Sequence, residues 1–77
     1  MANIVEAFMK QNLVGTFEIG EPDLISAYNR VTSNDSAAIA LILDMAAQRY
    51  GRAGFDQLDL VRGGQWLFTI QNPANRR

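Results

Sequence analysis

With neither histidine nor cysteine among its 77 residues, the chain can draw for chemistry only on carboxylates, hydroxyls and one lysine, Lys10. That removes zinc fingers, thiol chemistry, the serine and cysteine triads and every histidine-based acid or base. Two acidic pairs remain. Glu18 and Glu21 fall at an expected strand end and helix start, where acids sit for solvation and for the helix dipole. Asp56 and Asp59 lack the oxygen-rich loop, glycine turn and terminal glutamate that calcium requires. Gly63-Gly64 and the isolated Gly51 and Gly54 make no phosphate loop, since no lysine follows and no helix begins after them. Trp66 and Phe68 are of the type that stacks on bases, but the strand pattern assigns both to the core. No catalytic residue, cofactor or metal site is expected, so function has to be sought on surfaces.

The element that must organise those surfaces is the run Ser36 to Tyr50, SAAIALILDMAAQRY, which reads as a central helix. At about 100° per residue, Ile39, Ile42, Leu43, Ala46 and Tyr50 share one side, widened by Ala38, Ala40, Met45 and Ala47. Such a girth must be covered from more than one direction. The stripe left for solvent or a partner is Ala37, Leu41, Asp44 and Gln48. Ser33, Asn34, Asp35 and Ser36 supply capping oxygens at the start, and Gly51 with Arg49 marks the stop.

Around that helix the chain predicts a helix from Asn3 to Asn12, on the spacing of Ile4, Val5, Phe8 and Met9, with an Asn3/Glu6 capping box and a Glu6 to Lys10 pair. Val14 to Ile19 alternates and reads as a short strand. Pro22 opens a helix to about Thr32 that buries Leu24, Ile25, Tyr28 and Val31. After a loop at 52–54, a hairpin through the three-residue loop Arg62 to Gly64 sets Leu60 opposite Trp66, Leu58 opposite Phe68 and Asp56 opposite Ile70. A two-residue Gly63-Gly64 loop would scatter the apolar set over both faces. Val61 and Leu67 are then apolar exceptions on the outer face.

This is an α+β chain of three helices and a small antiparallel three-stranded sheet, in the order helix, strand, helix, helix, strand, strand. It forms one domain over residues 1–71, followed by a mobile basic tail over 72–77. Repeats and low-complexity segments are absent. No apolar run reaches the roughly 18 residues of a membrane span, and MANIVEAF has no basic leader, which points to a soluble cytoplasmic protein. Residues 1–38 carry a net charge of −3 and residues 39–77 a net +2.

In element order over about residues 3–71 the chain resembles the winged helix-turn-helix domains. The resemblance implies a DNA-binding regulator whose helix beginning near Ser33 enters the major groove, with Arg52, Arg62, Arg76 and Arg77 on the phosphates. The residues themselves oppose this: the outward stripe has no cation and includes Asp44, leaving little counterion release to drive binding. A protein partner suits the stripe better. Ala37, Leu41, Asp44 and Gln48, with Val61 and Leu67 on the hairpin, form the expected contact surface of a small non-enzymatic accessory or inhibitory module. The same patch could serve a homodimer.

Overall fold

In the computed structural model, which describes residues 3–30 and 37–75, the segment expected as the first helix is a β-strand, β1 (Asn3–Met9). It turns directly into β2 (Asn12–Glu18), and two helices follow, α1 (Glu21–Arg30) and α2 (Ala37–Tyr50). A second hairpin, β3 (Gln57–Arg62) and β4 (Gln65–Gln71), precedes a 3₁₀ turn at Pro73–Asn75. The four strands make one antiparallel sheet in the order β2-β1-β3-β4. The described residues therefore hold two helices and four strands. Three helices with a three-stranded sheet is wrong, and the winged-helix order goes with it.

The misreading of β1 has a physical cause. Val5 and Ala7 point inward and are fully buried, yet Ile4 and Phe8 on the other face are also apolar and half-buried between neighbouring strands. With both faces apolar, the alternation that marks a strand disappears and a helical spacing emerges by chance. The turn gave no warning either. Lys10 (φ 50°) and Gln11 (φ 71°) take the left-handed conformation that two-residue hairpin turns usually assign to Asn or Gly. The capping box and the Glu6–Lys10 helical pair fall with the helix.

Both helices lie on one face of the sheet. The core between the layers is Val5, Ala7, Phe17, Leu58, Leu60, Phe68 and Ile70 from the strands, Leu24 and Ala27 from α1, Ile42 and Ala46 from α2, and Ile19 and Phe55 from connections. α2 is thus covered by sheet and by α1, as its wide apolar arc requires. Gly51 ends it at φ 88°, its amide donating to the Ala47 carbonyl at 2.8 Å, which is the expected stop. α1 departs from expectation: Ala27 is its second core residue, while Ile25 and Tyr28 stand 48% and 52% exposed. The caps expected at 33–36, and Val31, lie outside the described residues.

The β3-β4 hairpin corrects the expected register. Its loop is the two-residue Gly63-Gly64, both at positive φ, with Arg62 opposite Gln65 and Val61 opposite Trp66. One extra residue on β4, Leu67, then shifts the pairing so that Leu60 meets Phe68 and Leu58 meets Ile70. The bulge restores the shared apolar face that a two-residue loop alone would lose. It also turns Trp66 out of the expected core, to 58% exposure. No helix among the described residues is long and apolar enough to cross a membrane.

Candidate functional site

The path of the chain after α2 creates a concavity beside that helix. Phe55, 1% exposed, plugs the space beneath the end of the helix. Asn72, buried at the end of β4, donates through Nδ2 to the Arg52 and Phe55 carbonyls at 2.9 and 2.7 Å and accepts the Ala74 amide at 3.1 Å. Asn75 adds Nδ2 bonds to the carbonyls of Phe55 and Ala53. Residues 72–75, expected as part of a mobile tail, are tied back to the loop at 52–55. A buried amide that satisfies backbone carbonyls in this way fixes loop geometry, since each unpaired buried group would cost about 1–3 kcal/mol.

Between this tied turn and α2 runs a groove of about 370 Å³, open on one side. Leu43, Ala47 and Phe55 form its floor, Ala40 and Pro73-Ala74 its walls, and Asp44 and Arg52 its rim. A second concavity continues from it past Gln48. Alanines at 40, 47 and 74 leave room that longer side chains would fill. An open apolar slot with one acid and one base at its edge suits an inserted side chain of a macromolecule, since a small ligand is normally enclosed over most of its surface.

The stripe Ala37, Leu41, Asp44 and Gln48 is exposed along its whole length, with Leu41 at 46%. Asp44 and Gln48 join the groove. Val61 and Leu67 do not join it. Val61 lies on the helix-free face of the sheet, paired with Ile4 and Trp66, so the sheet separates it from α2. Leu67 is half-buried and packs against the core. The single patch expected from all six residues is therefore not formed. The arginines are dispersed as well. Arg52 sits at the groove, while Arg62, at the far end of β3, holds Glu21 at 2.8 Å. Arg76 and Arg77 lie outside the described residues.

On the helix-free face a polar network runs across β3 and β4. Trp66 Nε1 donates to Thr69 Oγ1 at 3.1 Å, the Thr69 hydroxyl donates to Asp59 Oδ1 at 2.7 Å, and Gln57 Nε2 donates to the same oxygen at 3.2 Å. The described residues contain no group of three or more His, Cys, Asp or Glu placed to hold a metal ion. Sequence reasoning missed the groove because Phe55 on its floor and Pro73 on its wall gain their meaning from Asn72, whose buried amide no periodicity announces. It missed Trp66 because a bulge leaves no mark in residue type. No family model, curated protein or solved structure matches the chain.

Proposed function

We propose that this protein is a small, cytoplasmic, non-enzymatic binding module that captures a larger protein partner in the groove beside α2, in an accessory or inhibitory role. The observation that carries the reading is an apolar-floored slot bordered by a helix stripe on which Leu41 stands exposed. A partner side chain inserted over Leu43, Ala47 and Phe55 would gain about 1.5–3 kcal/mol from burial. Leu41 beside the slot and the opposite charges of Asp44 and Arg52 would set the orientation around that anchor, in the manner of a small hot spot with a polar rim.

The test is capture of partner proteins from a lysate by the wild-type chain, by Leu41→Arg and by Ala47→Arg, with folding followed by circular dichroism. Loss of one captured protein in both variants, at unchanged melting temperature, is the expected result. Capture that survives both substitutions would remove the groove from consideration.

A further inference from the structure

Among the described residues the sheet has two open edges, β2 and β4, and they are guarded unequally. β2 contains Gly15 and Glu18, and the Arg49 guanidinium lies 4.8 Å above the Phe17 ring on its helix side. Glycine and charge both discourage a further strand from pairing. β4, QWLFTIQ, has no charge, no glycine and no proline. Its one protective feature is the Leu67 bulge, beyond which residues 68–71 are regular.

Strand geometry shows which groups that edge offers. The Asn72 amide donates inward to the Asp56 carbonyl at 2.9 Å. With a period of two, the amides of Phe68 and Ile70 also face β3, and those of Thr69 and Gln71 face outward. Apolar surface flanks the edge. Tyr28 of α1 stacks flat on Phe68, with centroids 5.5 Å apart and planes 7° apart, and remains half exposed. Ile25, three residues earlier, lies on the same flank of the helix, and Trp66 is exposed at the start of β4.

We propose that β4 is the pairing edge for a second copy of this chain, forming a two-fold dimer with a continuous eight-stranded sheet. Antiparallel pairing of a strand with itself is two-fold symmetric by construction. Centred on Ile70, it sets Thr69 against the partner's Gln71, so that both outward amides of each copy find carbonyls. Because the strand carries no charge, no like charges are brought together. Both helix layers fall on the same side, and the Ile25 and Tyr28 flanks of the two α1 helices meet over the junction. The exposed parts of Ile25, Tyr28 and Trp66 amount to on the order of 300 Å². A strand edge adds about as much again, giving about 1,200 Å² for the pair, at the lower limit of specific interfaces. The dimer is therefore weak and concentration-dependent.

Sedimentation equilibrium from micromolar to millimolar protein, with amide hydrogen exchange at both ends of that range, tests the pairing. The expected result is a mass rising from 8.5 kDa toward twice that value, with Thr69 and Gln71 amides gaining protection as concentration rises. Gln71→Pro, which removes an outward amide, and Ile25→Lys, which charges the flank, should each weaken association on the order of tenfold. A constant mass of 8.5 kDa would overturn the proposal, as would a dimer that survives both substitutions. So would a dimer abolished by Leu41→Arg, or protection of Thr69 and Gln71 that arises only when a different protein is added. The exchange measurement needs no variant, so a misfolded variant would not blunt the test.

Discussion

The two hairpins are built on one plan. Each has a two-residue turn at positive φ, an inner strand at the centre of the sheet, and an outer strand carrying one extra residue at its third position, Val14 in β2 and Leu67 in β4. They differ at the next position. Phe68 on β4 supplies its own core side chain, opposite Leu60 and beneath Tyr28. Gly15 on β2 supplies none, stands opposite Ala7, and receives Tyr50 of α2 instead. One hairpin thus brings its packing with it, while the other borrows it from a helix that folds across it.

Removing the native ring and crowding the borrowed one separately breaks that comparison most sharply. Phe68→Ala takes a 6% exposed ring out of the core and should cost about 3–5 kcal/mol in urea unfolding. Gly15→Ala should cost less, about 1–3 kcal/mol, by overpacking. A Cβ there would lie 2.6 Å from the Tyr50 hydroxyl oxygen, so the ring would have to shift relative to Phe17, whose centroid is 6.4 Å away. A Gly15→Ala chain as stable as wild type would show that Tyr50 has room to move and that the site is not tightly filled.

The same contrast explains what could be read in advance. That β3, β4, α1 and α2 exist was legible because glycines 63 and 64, Pro22 and Gly51 punctuate them, although the hairpin was expected to turn through Arg62 to Gly64 and its register and the buried face of α1 differ. β1 was not, because its turn is held by tertiary contact. The Lys10 amide donates to Asp56 Oδ2 at 2.8 Å, and the Asp56 amide donates to the Phe8 carbonyl at 2.8 Å, so a residue 46 positions away closes the first hairpin. Of the surface, the α2 stripe could be read from helical spacing. The groove could not, since its far wall is placed by Asn72, nor could the separation of Val61 from Leu41, which needs the correct number of strands.

Exchanging the turn chemistry of the hairpins is the next smaller effect. Gly63→Ala and Gly64→Ala each place a Cβ at positive φ and should cost about 1 kcal/mol. Replacing Lys10-Gln11 by Asn-Gly should act in the opposite direction, raising stability by up to about 1 kcal/mol, because the Asp56 contact uses only the backbone amide at position 10. If the Asn-Gly chain is instead less stable, the long side chains of Lys10 and Gln11 hold the turn, and the hairpins differ in more than residue type.

The smallest effect on stability is expected at the surface proposed for binding, and its smallness is what makes it informative. Leu41 is 46% exposed on the helix stripe, so Leu41→Arg removes little buried area and should change unfolding free energy within about ±0.5 kcal/mol. The long arginine stem can lie along the same apolar surface while its charge stays in water. Against a partner, the charge would be driven into an apolar contact with no anion provided, a cost that appears only in the complex. A stable Leu41→Arg chain that no longer captures its partner would separate binding from folding. A chain destabilised as strongly as Phe68→Ala would mean that Leu41 belongs with the core and that the stripe is part of the packing both hairpins share.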